Sequence, residues 1–103
     1  MSTATDVREI TADQRRTILD QIGSGTVMGI CGFRVRPTVT GVELVCGYGY
    51  RVRVTLEAND TYTVRRIYSR GSREWVKGEQ TDVYWPELSE VAYRAGMFRD
   101  EWV

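Results

Sequence analysis

Apolar positions recur at helical spacing near both ends of the chain and at strand spacing between them. From Thr11 to Ile22, Ile18, Leu19 and Ile22 fall at i+3, i+4 and i+7 from Arg15, whose aliphatic stem completes one face of a helix. Thr11 and Gln14 have the spacing of a capping box, Asp13 puts negative charge in the first turn, and Gly23 is placed to be a left-handed C-cap. A second amphipathic stripe, Leu88, Val91, Ala92 and Ala95 with Tyr84 four residues earlier, predicts a helix ending at Gly96. Pro86 is tolerated only in a first turn, so that helix starts at about Asp82 or Trp85.

Between these helices the pattern changes to that of strands. Residues 26–36 (TVMGICGFRVR) are rich in β-branched and apolar side chains and stop at Pro37, which predicts a first strand. Val42 to Cys46 is the second, followed by a turn or bulge at Gly47-Tyr48-Gly49. Residues 50–56 alternate most clearly: Tyr50, Val52, Val54 and Leu56 face one way, Arg51, Arg53 and Thr55 the other. Glu57 to Asp60 reads as a hairpin connection into a strand from Thr61 to Tyr68. Arg70-Gly71-Ser72 turns the chain into a short last strand over 73–80, kinked at Gly78.

A run of strands flanked by helices defines an α+β fold: an N-terminal helix, a four- to five-stranded antiparallel sheet, and a C-terminal helix, both helices on one face of the sheet. The expected organisation is a polar arm over residues 1–10 and a single domain over 11–103. Its expected core is Ile18, Leu19, Ile22, Val52, Val54, Leu56, Leu88, Val91 and Ala92.

Composition narrows the chemistry. With 103 residues and 42% hydrophobic content the chain suffices for one modest core. No apolar run approaches the roughly 20 residues of a membrane span, and the first residues lack the basic and apolar regions of a signal peptide, so a cytoplasmic protein without a membrane partner is expected. Histidine is absent. That excludes Ser-His and Cys-His nucleophile pairs, histidine general acid–base chemistry and histidine-liganded metals. Cys31 and Cys46 lie in apolar stretches without CxxC spacing and read as small buried thiols rather than a disulfide.

The net charge of +0 conceals an uneven distribution. Residues 34–77 carry nine basic and four acidic side chains, whereas residues 78–103 carry two basic and six acidic. All but one of the basic residues are arginine, Lys77 being the exception. Arg34 and Arg36 on the first strand, Arg51 and Arg53 on the third and Arg65 on the fourth can project from the solvent-facing side of the sheet, with Tyr48, Tyr62, Tyr68 and Trp75 interleaved. Arginines beside aromatic rings on an open sheet hold single-stranded nucleic acid in known modules. The competing explanation is a solvated face paired to acidic residues of the C-terminal segment.

Other motifs carry less. The glycines of Gly23 to Gly32 follow a helix and precede a strand, the reverse of a phosphate-binding loop, and no Lys-Ser or Lys-Thr completes a P-loop. Glu79, Asp82, Glu87 and Glu90 supply carboxylates without a catalytic partner, and Glu90 is placed to pair with Arg94. No catalytic residues, metal ligands or cofactor are therefore assigned. Trp85, Tyr93 and Trp102 are candidates for a protein interface, because interface cores are enriched in Trp and Tyr.

Several short segments carry a resemblance: Ile18-Leu19-x-Gln21-Ile22-Gly23, the strand from Tyr50 to Leu56, Asn59-Asp60-Thr61-Tyr62, Val83-Tyr84 with Leu88, and Gly96-Met97-Phe98. On these the chain resembles a family of small uncharacterised bacteriophage proteins, departing from it at Pro86 and in the glycine- and arginine-rich first strand. That family has no established activity, so no residue role transfers. The resemblance implies a phage accessory protein in a bacterial cytoplasm, acting by binding a host or viral macromolecule. The expected function is thus non-enzymatic binding of a protein partner, with self-association through the sheet open, and nucleic-acid binding on the arginine face as the alternative.

Overall fold

A computed structural model describes residues 9–96. The element order is α1 (Ala12–Ile22), α2 (Ser24–Cys31), β1 (Val35–Pro37), β2 (Gly41–Gly47), β3 (Tyr50–Leu56), β4 (Tyr62–Arg70), β5 (Arg73–Val83) and α3 (Trp85–Ala95). The five strands form an antiparallel meander in chain order, with the helices packed on one face. This is the expected α+β fold.

The capping box at Thr11 is present: its Oγ1 accepts from the Gln14 N–H at 3.1 Å, and Gln14 Oε1 accepts from the Thr11 N–H at 2.8 Å. Ile18 and Ile22 bury the inner face of α1, and Leu88, Val91, Ala92 and Ala95 that of α3. They meet Val42, Leu44, Val52, Val54 and Val64 of the sheet in one core cluster. Burying each of these aliphatic side chains contributes on the order of 1.5–3 kcal/mol, which is what holds short helices in place. Leu19 and Leu56 pack at the margin of this core, partly buried. Ile10 is also buried, and its N–H donates to the Val39 carbonyl at 2.9 Å, so the domain's packing takes in the end of the expected polar arm.

Local expectations are corrected in two places, residues 23–36 and Arg15. Residues 24–31 form a helix, and the first strand is only Val35–Pro37. Val27 and Cys31, four residues apart, are buried, with Ile30 partly buried beside them. That is a helical stripe, and β-branched content is a weaker determinant than which face packs. Gly23 makes the sharp joint between α1 and α2 at φ 95 and ψ 137, a glycine conformation but not the left-handed cap expected there. Secondly, Arg15 contributes more than its stem: its Nε donates to the carbonyls of Thr38 and Gly41, both at 3.2 Å.

The hairpin turns fix where side chains collect. Tyr48 and Gly49 both have positive φ (55 and 88), as a type I′ turn between β2 and β3 requires. Gly71, at φ 64, opens a two-residue turn between β4 and β5 of the II′ kind. Both turns lie at the same end of the sheet. Bulges between Val45 and Gly47 and between Gly78 and Val76 shift the register of β2 and β5.

Candidate functional site

On the face away from the helices, the register aligns Arg36, Glu43, Arg53, Arg65 and Glu79 in a row across all five strands. Glu43 is the hub. It is 4% exposed, its Oε2 accepts from Arg53 Nε at 2.7 Å and its Oε1 from Arg51 Nη1 at 3.3 Å. Glu74 of β5 adds a second carboxylate, 3.0 and 3.2 Å from Arg53 Nη2. Arg65 is bound by Glu79 at 3.0 Å. Burial opposes the Arg53 charge, but hydrogen bonds and attraction from Glu74 and Glu43 outweigh it and push its pKa above the ordinary value. Beneath this network Ile67, opposite Arg51 and Val76, is fully buried although it lies outside the helix-side core.

Three of the expected nucleic-acid arginines, Arg51, Arg53 and Arg65, are therefore neutralised by carboxylates on neighbouring strands. A phosphate could reach them only by displacing those partners, so the counterion-release gain that drives nucleic-acid binding is largely removed. One of the acidic partners, Glu79, belongs to the acidic segment 78–103 weighed in the sequence, whereas Glu43 and Glu74 come from β2 and the start of β5. Arg36 is exposed within the row, while Arg34 precedes β1 and its Nε donates to the Cys31 carbonyl at 3.3 Å. Tyr62 belongs to the opposite face: it is 5% exposed and its hydroxyl donates to Gln21 Oε1 of α1 at 2.6 Å. Burial, and secondarily the charge of Asp60, raises its pKa. Tyr62 thus supplies no stacking surface.

Trp75 also points to the helix side, but beyond the helices. It stacks on Tyr68 with ring centroids 5.7 Å apart at 30°, and Tyr68 meets Tyr50 at 5.0 Å and 51°. These three rings form a ladder across β3, β4 and β5. Tyr50 was placed on this face by its alternation with Val52 and Val54, but the ladder itself depends on a pairing register the sequence does not state.

A shallow groove of about 490 Å3 at the other end of the open face includes Glu57, Thr63, Arg65 and Asp82 in its lining. Glu57 accepts from the Thr63 hydroxyl at 2.6 Å and Arg65 is held by Glu79, so its polar groups are mostly satisfied within the protein. No group of His, Cys, Asp and Glu among the described residues is arranged to hold a metal ion. Both cysteines are free thiols, Cys31 buried and Cys46 partly so. Burial foremost, then the neighbouring Cys31, pushes Cys46 up to about 11 from its ordinary 9.0, against weaker lowering by a Val52 backbone hydrogen bond, Arg34 and Arg66. The folded thiol keeps its proton through a window in which the unfolded thiol loses it. Stability from this group is fully present below pH 9 and declines as pH rises toward 11. Thermal melts across that interval should show a falling midpoint, and Cys46→Ala should flatten the slope; an unchanged slope would remove Cys46 as its source.

In the helix layer, Trp85 and Tyr93 are 62% and 47% exposed and Tyr84, at the N-cap of α3, is 60% exposed. Trp85, Ser89 and Tyr93 run along one flank of α3 at steps of four, and this flank faces α2. Ser89 Oγ lies 2.8 Å from Thr26 Oγ1, and Tyr93 lies alongside Gly29. Met28 on α2 is 53% exposed. Trp102, the third expected interface residue, lies outside the described residues. No helix among the described residues is long and apolar enough to cross a membrane.

Fold and surface define a small α+β protein: a five-stranded antiparallel meander with a three-helix layer on one face and a self-neutralised charged lattice on the other. No family model, curated protein or solved structure matches the chain.

Proposed function

We propose that this chain is a non-enzymatic accessory protein that binds a protein partner through the α2–α3 side of its helix layer. The observation that carries the reading is the exposure of Trp85 and Tyr93 on one flank of α3, with Met28 exposed on the adjoining helix. Large aromatic side chains left in water along one helix flank forgo burial worth on the order of 1.5–3 kcal/mol each, which a partner surface would recover. Gly25 and Gly29 present no side chains on α2, and the Tyr93 ring lies alongside Gly29. Burial pushes the thiol of Cys46, the more exposed cysteine, up, which disfavours its nucleophilic thiolate. The resemblance to small phage proteins supplies the context proposed here: a host or viral protein partner met in the bacterial cytoplasm.

The test is affinity capture from nuclease-treated bacterial lysate with wild-type protein and the double variant Trp85→Ala/Tyr93→Ala, read by mass spectrometry. Both substituted positions are exposed, so the variant should fold with an unchanged circular-dichroism spectrum. The reading expects specific proteins retained by the wild type and at least roughly tenfold depleted with the variant, as hot-spot truncation of about 1.4 kcal/mol or more would produce. Equal recovery by both proteins would sink it.

A further inference from the structure

The end of the sheet that carries both two-residue turns has a composition unlike the rest of the surface. The ladder Tyr50–Tyr68–Trp75 lies there on the helix-side face, and Tyr48, at the tip of the β2–β3 hairpin, is 98% exposed. At the tip of the neighbouring hairpin Arg70 and Arg73 are direct cross-strand partners. Like charges placed opposite one another on a ladder are unfavourable. On the other face the direct partners Arg53 and Arg65 are each paired with carboxylates of their own, Arg53 with Glu43 and Glu74 and Arg65 with Glu79. Among the described residues neither Arg70 nor Arg73 has such a carboxylate, and Lys77, at the bulge two residues beyond Trp75, has none either.

The geometry points to a binding site for single-stranded nucleic acid at this end of the sheet, formed by Trp75, Tyr48 and the Arg70–Arg73 pair, which we propose as a second surface independent of the α2–α3 side. Tyr68 and Trp75 already stack on one another, so the ring face still open is the outer one of Trp75, on the edge strand, and Trp75 is 41% exposed. A base laid on that face extends the stack that Tyr68 and Trp75 have begun. Arg73, two residues earlier and on the same face of β5, is placed with Arg70 to meet the adjoining phosphate. An exposed ring face beside guanidinium groups suits planar bases on an anionic backbone. An acidic peptide would match the charge but leave the ring face without a planar partner. Tyr48 supports the same reading, because a tyrosine at φ 55 in a I′ turn takes a place suited to Asn or Gly and gains no burial there.

Fluorescence anisotropy with a labelled oligothymidylate about 12 nucleotides long tests the proposal. Wild-type protein should bind at low salt and weaken as salt rises. Trp75→Ala and, separately, Arg70→Ala/Arg73→Ala should each weaken binding by roughly tenfold, while Trp75→Phe, which keeps a ring, retains most of it. Trp85→Ala/Tyr93→Ala should leave it unchanged, which separates this site from the protein-binding surface. Circular dichroism confirms that each variant is folded. The proposal is overturned if wild-type protein does not bind, if Trp75→Ala binds as tightly as wild type, or if polyglutamate of matched length binds as well as the oligonucleotide. It is likewise overturned if Arg51→Ala weakens binding as much as the hairpin variants, since that residue faces the other side.

Discussion

Replacing Glu43 by alanine is expected to lower folding stability by about 3 kcal/mol, the lower end of what breaking a buried ion pair costs. Its side chain is only 6% exposed, and it faces two guanidinium groups whose side chains are 26% exposed. Deleting the carboxylate leaves Arg51 and Arg53 side by side with only Glu74, a residue whose side chain is 44% exposed and correspondingly screened. Urea denaturation of Glu43→Ala and Glu43→Gln, compared at constant slope, measures the effect. The glutamine variant should lose less, because its amide oxygen still accepts from one guanidinium. A loss below about 1 kcal/mol for alanine would mean that the lattice behaves as an ordinary solvated surface pair. The same substitution releases positive charge on this face. Glu43→Gln should therefore acquire weak, salt-sensitive affinity for oligonucleotides there, which Arg51→Ala removes.

Of the two explanations the sequence offers for the arginine face, the lattice fits the one that pairs it with carboxylates, though with partners the sequence does not name. Alternation along β3 and the hydrophobic pair Val42 and Leu44 were enough to put Arg51, Arg53 and Glu43 on one face. What alternation could not supply was register. A two-residue turn at Tyr48-Gly49 without interruption would set Glu43 against Val54, mixing the faces. The bulge after Val45 absorbs one residue and brings Glu43 opposite Arg53. A second bulge at Lys77 does the same for Glu79 and Arg65. Each is a single extra residue that changes every partner beyond it, and it is visible only as a conflict between turn length and hydrophobic phase. The helices at the two ends were legible because their signals are local: the capping box at Thr11 and the Leu88–Val91–Ala92 stripe. Helix α2 was not, because Thr26, Val27 and Ile30 favour strands in isolation, and only the packing of Val27 and Cys31 against the core decides otherwise. The aromatic ladder was hidden for the same reason as the lattice, since Tyr50, Tyr68 and Trp75 are neighbours only through strand pairing.

Arg66 offers the clearest link between stability and the proposed partner surface. It lies on the helix side of β4, opposite Val52 and Gly78, and is only 5% exposed. A glycine across the ladder leaves room for its long side chain to cross to the end of α3. There its Nε donates to the Ala95 carbonyl at 2.7 Å and its Nη2 to the Arg94 carbonyl at 3.1 Å. The last carbonyls of a helix lack partners within the helix, and they carry the negative end of its dipole, so a buried cation satisfies both needs. Charge-assisted hydrogen bonds contribute about 1.5–3 kcal/mol each, not additively, and the stem adds packing. Arg66→Ala should thus lose about 2–4 kcal/mol. Arg66→Met, which keeps the stem, isolates the polar part and should lose about 2 kcal/mol. Lysine is a poor substitute, because one ammonium cannot reproduce the planar fork that spans two carbonyls. In Arg66→Met the damage should concentrate where the cap was: amide hydrogen exchange at the C-terminal turn of α3 should accelerate more than exchange in β2 and β3. Tyr93 sits in that turn, so partner capture should weaken although neither exposed aromatic has been touched. If Arg66→Met melts like the wild type and keeps α3 protected, the helix end is held by packing of Ala92 and Ala95 alone. The proposed surface would then owe nothing to the strand beneath it.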